Sequence, residues 1–153
     1  MAIDVGQDAP GFTLAGQDGP VSLADFRGQK AVALVFYPFT FSGICRDELC
    51  ELRNDLSQFE AADVQVLAVS CDSKHAQAKW AAAEGYGFPV LSDFWPHGDV
   101  AKAYGVFNEA VGCANRATFV IGKDGKVAAT FATDSLGTPR AKAEYDAALA
   151  RLA

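Results

Sequence analysis

Apolar residues cluster in a few runs along the chain, and their spacing predicts the first secondary-structure elements. The continuous run Ala31–Tyr37 ends at Pro38 and is typical of a strand buried on both faces. From Cys45 to Phe59, apolar side chains recur with helical spacing and point in one direction. A second, mostly apolar run, Val64–Val69, predicts the next strand. This part of the chain therefore predicts a β-α-β unit.

The second half of the chain predicts a helix, a β-hairpin and a closing helix. Ser73 can cap a helix that ends near Glu84, before two glycines. The runs Ala117–Ile121 and Val127–Phe131 flank a Lys-Asp-Gly-Lys turn, in which glycine accepts a positive φ. A final helix is predicted over Pro139–Leu152. Proline suits its first turn, because a backbone N–H at that position would have no hydrogen-bond partner within the helix. The shorter predicted elements are a hairpin or irregular lead-in within residues 1–30, a strand at 88–91 and a helix at 100–104.

In chain order these elements give β-α-β-α, a connecting insertion, a hairpin and a final helix. A parallel β-α-β unit followed by an antiparallel hairpin and a covering helix predicts an α/β protein with a thioredoxin-like fold, in which helices flank a central mixed sheet. The 153 residues contain no repeat, low-complexity segment or linker. We therefore expect a single domain over residues 1–153.

Composition and charge exclude several classes of protein. Half of the residues (50%) are hydrophobic, which argues against disorder, and the formal net charge of −6 offers no basic face for nucleic acid or anionic lipid. The longest apolar run is too short to span a bilayer, and the N-terminus lacks the pattern of a signal peptide. We therefore expect a cytoplasmic protein that binds neither nucleic acid nor membranes.

The four cysteines are too sparse for a disulfide scaffold and include no Cys-x-x-Cys pair. The two histidines lie in unrelated surroundings, so a metal site, whose ligands are usually closely paired, is not expected. Cys71 and Cys113 follow apolar segments, and we expect both to be buried thiols. Cys45 and Cys50 remain as candidates for redox chemistry.

Cys45 lies where a thiolate is stabilised. Ser42 is a good N-cap residue, so Cys45 would be the third residue of a helix, among free backbone N–H groups and the positive end of the helix dipole. Cysteines at helix starts often act as nucleophiles for this reason. The alternative is an inert, small apolar residue at the root of an amphipathic helix.

The residues around Cys45 resemble those of peroxiredoxins. Pro38, Ser42 and Cys45 match the motif Pro-x-x-x-Thr/Ser-x-x-Cys of that family, and Arg116 matches the arginine that the family places beside its reactive cysteine. Within the family, the chain most resembles the one-cysteine alkyl hydroperoxide reductase E group of actinobacteria. The segments that carry this resemblance over nearly the whole chain are 9–14, 88–93, 92–98 and 104–109.

The resemblance implies a role for each residue of the motif. Cys45 would attack the terminal oxygen of a peroxide and become a sulfenic acid, and Arg116 would stabilise the thiolate and polarise the peroxide. Ser42, where the family usually has threonine, would donate a hydrogen bond to the sulfur or the peroxide. Pro38 would shield the sulfur. Glu48 matches an acidic residue tied to the arginine, although a first-turn glutamate that complements the helix dipole is an alternative.

Cys50 departs from the alkyl hydroperoxide reductase E pattern and matches the resolving cysteine of the peroxiredoxin Q group. On a helical wheel it points about 140° from Cys45, on the polar side near Asn54 and Ser57, which argues against a core role. Residues five apart in a helix have Cα atoms about 8.7 Å apart, whereas a disulfide spans at most about 7 Å. A Cys45–Cys50 disulfide would therefore require the start of the helix to unwind. A one-cysteine enzyme resolved by an external thiol is the alternative.

The activity implied by the resemblance is reduction of hydrogen peroxide and organic hydroperoxides to water and alcohols, with no metal, haem or flavin cofactor. The resemblance implies thioredoxin as reductant, or a low-molecular-weight thiol with a glutaredoxin-like partner, and a homodimer like those of many relatives. Phe39, Phe41 and Ile44 would line an apolar mouth that favours organic hydroperoxides, and the alternative is that they belong to the core. Two other classes remain open: a thioredoxin-type thiol–disulfide oxidoreductase, which would need Cys-x-x-Cys, and a redox-inactive interaction module, which leaves the motif unexplained.

Overall fold

The computed structural model describes residues 2–152, and a seven-stranded mixed β-sheet forms its centre. The strands are β1 (Thr13–Gly16), β2 (Gly19–Ser22), β3 (Ala31–Phe36), β4 (Val64–Ser70), β5 (Val90–Ser92), β6 (Phe107–Asn108), β7 (Cys113–Ala114), β8 (Ala117–Ile121) and β9 (Val127–Ala132). The helices are α1 (Gly43–Asn54), α2 (Leu56–Ala61), α3 (Lys74–Glu84), α4 (Asp99–Ala103) and α5 (Lys142–Ala150), and a single 3-10 turn covers Leu23–Asp25. None of the helices in this part of the chain is long and apolar enough to cross a membrane.

The order of strands in the sheet is β2-β1-β5-β4-β3-β8-β9. Strand β3 is parallel to β4 and antiparallel to β8, and Phe36 pairs with Ala117 at one end of the β3–β8 ladder. This register places the loop that follows β3 beside the residue that precedes β8. Pro38 and Arg116 therefore lie at the same end of these two strands, although they are 78 positions apart in the sequence.

Strand β3 is buried on both faces, as its continuous apolar run predicts. Alternate residues such as Ala33 and Val35 face a core formed with α1, α3 and α5, whereas Leu34 and Phe36 face a second core that includes Tyr104 of the insertion. Each helix layer thus covers one face of the sheet. The fold is the predicted mixed sheet flanked by helices, with the predicted β-α-β unit and hairpin.

Three details differ from the sequence prediction. The helix predicted over Cys45–Phe59 is interrupted at Asp55, because Asn54 and Asp55 are residue types that favour helix ends. The closing helix begins at Lys142 and not at Pro139: its N-cap residue is Ala141, which has extended backbone angles (φ −81°, ψ 140°), and the preceding Arg140 bonds to Glu48. The insertion contains a small two-stranded sheet, β6 with β7, that the sequence did not predict.

Candidate active site

Cys45 is the third residue of α1, and its side chain is fully buried (0% exposed). Ser42 is the N-cap residue, as predicted, with extended backbone angles and its carbonyl accepting from the Arg46 N–H (2.8 Å). Within residues 2–152, the Ser42 hydroxyl makes no capping hydrogen bond. The sulfur therefore lies at the positive end of a 12-residue helix whose N-cap hydroxyl is not used for capping.

Arg116 lies directly against the sulfur of Cys45. Its Nη1 is 3.2 Å from Cys45 Sγ and donates at 2.7 Å to Glu48 Oε1, while its Nε donates at 2.6 Å to the carbonyl of Leu136. The Arg116 side chain is 2% exposed, so this guanidinium is not a surface arginine. Glu48 is the sixth residue of α1 and so lies in its second turn, not its first, and it bonds to the arginine as the resemblance implied.

Arg140, which the sequence reasoning missed, supplies a second buried guanidinium. Its Nε and Nη2 donate to the two oxygens of Glu48 at 3.0 and 2.9 Å, and its Nη1 donates to the carbonyl of Phe36 at 2.7 Å. Nη1 also reaches the hydroxyl of Thr118 (3.2 Å), which in turn contacts the hydroxyl of Tyr145 (3.0 Å). Only the position of Arg140 just before the last helix distinguishes it in the sequence, and that position gives no sign of burial.

The charges around Cys45 do not cancel. Two guanidinium groups face one carboxylate, which leaves one positive charge in excess beside the sulfur. Burial alone raises the pKa of Glu48, but hydrogen bonds and charge from Arg140, together with the charge of Arg116, outweigh it and hold that pKa below its ordinary value. Because Glu48 stays ionised, a thiolate at Cys45 gives the buried group of Cys45, Glu48, Arg116 and Arg140 a net charge of zero.

The loop between β3 and α1 is held by polar contacts beneath it. Pro38 is buried, the Tyr37 hydroxyl contacts the Thr40 hydroxyl (2.9 Å), and the Thr40 N–H donates to Asp72 (2.7 Å). Phe41 has a left-handed backbone (φ 71°), a strained conformation for a residue other than glycine. Strain of this kind persists only where the surroundings fix the backbone, and the polar contacts of Thr40 do so here.

The mouth of the site is only partly as predicted. Phe39 and Phe41 are exposed (41% and 59%), and the ring of Phe41 lies 6.2 Å from that of Trp80. Ile44 is half-buried. The loop that leads from β3 into α1 therefore carries two exposed aromatic rings.

Cys50 has polar neighbours on its side of α1, as the helical wheel predicted, but it is half-buried, which the wheel did not predict. Its Sγ is 3.5 Å from Glu84 Oε2 and 3.8 Å from the hydroxyl of Tyr86, because the end of α3 packs against this side of α1. Helix α1 is continuous from Gly43 to Asn54, and both Cys45 and Cys50 are free thiols.

Cys71 and Cys113 are both buried, as predicted. Burial, with the charge of Asp93 as a smaller cause, raises the pKa of Cys71 to about 12. Burial also raises the pKa of Cys113. Neither thiol has the environment of a reactive cysteine.

Comparison with known proteins identifies the family. A model described as the AhpC/TSA family matches residues 5–130. The chain belongs to the AhpC/TSA family of peroxiredoxins. Alkyl hydroperoxide reductase E of Mycobacterium tuberculosis (strain ATCC 25618 / H37Rv) is 50% identical to this peroxiredoxin over 124 residues, which make up 80% of this chain and 81% of that protein.

Two further relatives agree with this assignment. Peroxiredoxin Bcp of Escherichia coli (strain K12) is 33% identical over 136 residues, 84% of this chain and 85% of that protein. The crystal structure of peroxidoxin BcpB from Mycobacterium tuberculosis superposes with a TM-score of 0.85 at 31% identity, over 98% of this chain and 96% of that one. The predicted family and thioredoxin-like fold are confirmed, and this peroxiredoxin is an enzyme, a thiol-dependent peroxidase.

Proposed function

We propose that Cys45 is the peroxidatic residue of this enzyme. Its thiolate attacks the terminal oxygen of hydrogen peroxide or an organic hydroperoxide, the O–O bond breaks, and the other oxygen leaves as water or an alcohol once it gains a proton. Cys45 is left as a sulfenic acid. The observation that carries the proposal is the 3.2 Å contact between Cys45 Sγ and Arg116 Nη1 at the start of α1, in a buried group with one excess positive charge.

The neighbouring residues have separate roles in this step. Arg116 stabilises the thiolate and the negative charge that develops on the leaving oxygen as the O–O bond lengthens. Glu48 fixes the orientation of Arg116 through the 2.7 Å bond to Nη1. Ser42, whose hydroxyl is not used to cap α1, donates to the sulfur or the peroxide, and the buried Pro38 shields the sulfur from water.

We further propose that Cys50 resolves the sulfenic acid by forming an intramolecular disulfide. The intact α1 holds the two Cα atoms about 8.7 Å apart, beyond the reach of about 7 Å that a disulfide allows. The start of α1 must therefore unwind before the bond forms. Each backbone hydrogen bond given up is worth only about 1 kcal/mol net, so an opening of one or two turns is accessible during turnover. If Cys50 does not react, an external thiol must resolve Cys45.

We propose the reductant and the assembly from the resemblance to peroxiredoxins. A thioredoxin is the reductant that we propose for a Cys45–Cys50 disulfide. If the sulfenic acid is reduced directly, a low-molecular-weight thiol with a glutaredoxin-like partner takes this role. The exposed rings of Phe39 and Phe41 favour organic hydroperoxides as substrates. We also propose a homodimer, in which these two exposed apolar rings are available for contact between subunits. All four cysteines are free thiols, which suits a reducing compartment such as the cytoplasm.

A matched pair of variants tests the role of Cys45. We expect Cys45→Ser, with three remaining thiols, to lose none within seconds of adding one equivalent of hydrogen peroxide. Cys50→Ser, also with three thiols, should lose one in the same time. Peroxide consumption by Cys45→Ser at the wild-type rate would contradict the proposal.

A further inference from the structure

Glu84, the last residue of α3, contacts three positions on one face of α1. Arg46 Nε lies 3.0 Å from Glu84 Oε1, and Cys50 Sγ lies 3.5 Å from Glu84 Oε2. Arg53 Nη1 donates at 2.6 Å to the main-chain carbonyl of Glu84. Because residues four and seven apart share one face of a helix, a single residue of α3 holds three successive turns of α1. We refer to Glu84, Arg46, Cys50 and Arg53 together as the clasp.

The α3 side of the clasp rests on buried aromatic residues. Gly85 ends α3 in a left-handed conformation (φ 69°), and Tyr86 then turns its hydroxyl towards Cys50 Sγ (3.8 Å). The ring of Tyr86 stacks on Phe88 (5.2 Å, 18°) and meets Trp80 edge to face (5.2 Å, 89°). Glu84 is only 18% exposed, whereas Arg46 is 60% exposed. The ion pair of the clasp therefore has a largely buried member on α3 and an exposed member on α1.

We propose that Glu84 is a positioning residue for the resolving step: by holding α1 closed, it sets the rate at which Cys50 reaches the Cys45 sulfenic acid. This inference rests on the resolving role proposed above for Cys50. The disulfide requires the segment from Cys45 to Cys50 to leave its helical conformation. Arg46 and Cys50 lie within that segment, so their contacts with Glu84 must break. Arg53 lies beyond it and keeps the rest of α1 attached to α3.

The clasp affects which of two reactions consumes the sulfenic acid. In the resolving reaction, the sulfur of Cys50 attacks the sulfur of Cys45, the S–O bond breaks, and the hydroxyl group leaves as water with the thiol proton. In the competing reaction, a second peroxide transfers one oxygen to Cys45, giving a sulfinic acid and a further water or alcohol. The first rate depends on how often α1 opens, and the second depends on peroxide concentration. A tighter clasp therefore leads to overoxidation at a lower peroxide concentration.

Charge-removing variants on both sides of the clasp test this proposal. Glu84→Gln and Arg46→Gln each remove the ion pair without a large change in volume. Glu51→Gln is the matched control, since Glu51 is an exposed residue of α1 whose side chain has no ion-pair partner within residues 2–152. After one equivalent of hydrogen peroxide, acid-quenched samples are analysed by mass spectrometry for sulfenic acid, the 45–50 disulfide and sulfinic acid.

We expect disulfide formation about two- to fivefold faster in Glu84→Gln and in Arg46→Gln than in the wild type, as loss of a part-exposed ion pair allows. At a fixed excess of peroxide, the ratio of sulfinic acid to disulfide should fall by the same factor. Glu51→Gln should match the wild type, and the double variant should be no faster than either single variant. The first oxidation of Cys45 should keep its rate in Glu84→Gln and in Glu51→Gln.

Three failures are distinguishable. Absence of any oxidised form of Cys45 in the wild type, whether sulfenic acid, sulfinic acid or 45–50 disulfide, would overturn the proposed function and the clasp with it. Sulfenic acid without a 45–50 disulfide would overturn the roles of Cys50 and the clasp but leave Cys45 as the peroxidatic residue. A disulfide that forms at one rate in the wild type, Glu84→Gln, Arg46→Gln and Glu51→Gln would overturn the clasp alone.

Discussion

Arg140 donates three hydrogen bonds to Glu48, from its backbone N–H, its Nε and its Nη2, at 2.7, 3.0 and 2.9 Å. The two residues stand 92 positions apart in the chain, and both are buried. The same carboxylate also accepts from Arg116, which contacts Cys45. Arg140 thus determines how Glu48, and through it Arg116, is held against the sulfur.

We expect Arg140→Met to destabilise the protein by about 3–5 kcal/mol, because breaking a buried ion pair leaves the charge of Glu48 short of partners. The reaction of Cys45 with peroxide should also slow, because Glu48, which orients Arg116, is then no longer held by Arg140. Urea unfolding measures the first effect and stopped-flow kinetics the second. Arg151→Met, at an exposed arginine just after α5, is the control. Wild-type stability and kinetics in Arg140→Met would show that the contact contributes nothing.

Arg116→Ala should slow the second-order reaction of Cys45 with hydrogen peroxide by about 10²-fold or more, as loss of one preorganised charge-stabilising group does in other enzymes. Arg116→Lys should recover only part of that rate, because an ammonium group cannot bond to Cys45, Glu48 and the Leu136 carbonyl with the geometry of a guanidinium. Stopped-flow measurement of peroxide consumption checks both values. An unchanged rate constant in Arg116→Ala would remove this residue from the site.

The lowered pKa of Glu48 predicts a pH dependence of stability. A carboxyl group whose pKa is lower in the folded protein stabilises it fully above the ordinary value of 4.5, and this contribution is lost as pH falls through the lower folded value. The free energy of unfolding should therefore exceed that of Glu48→Gln by a constant amount near neutral pH. The difference should shrink below about pH 4.5. Urea unfolding of both proteins across this range measures it, and a difference that grows on acidification would have the wrong sign.

Cys50→Ser should leave the first oxidation of Cys45 fast and let sulfinic acid accumulate at excess peroxide, because no internal thiol then competes with the second oxidation. Added external thiol should suppress the sulfinic form in this variant. Mass spectrometry of peptides that contain Cys45 measures each product. Cys71→Ser is the control at a buried thiol, and it should behave as the wild type does. Equal sulfinic acid in the wild type and in Cys50→Ser would point to a one-cysteine enzyme.

The sequence predicts the local parts of this site better than its long-range contacts. A continuous apolar run defines β3, and the motif that follows it places Cys45 at a helix start and pairs it with Arg116. Arg140 was not predicted, because arginine is normally exposed and its burial depends on a partner 92 positions away. The half-burial of Cys50 was not predicted for the same reason: a helical wheel describes α1 alone, whereas Glu84 comes from α3.

The most direct test of the central claim is to map the first site of oxidation. The reduced protein is mixed with less than one equivalent of hydrogen peroxide in the presence of a carbon nucleophile that traps sulfenic acids, and its cysteine peptides are analysed by mass spectrometry. Our account predicts the trapped adduct, or a disulfide that includes it, at Cys45 alone among the four cysteines. A first adduct at Cys50, Cys71 or Cys113 while Cys45 remains a free thiol would contradict it.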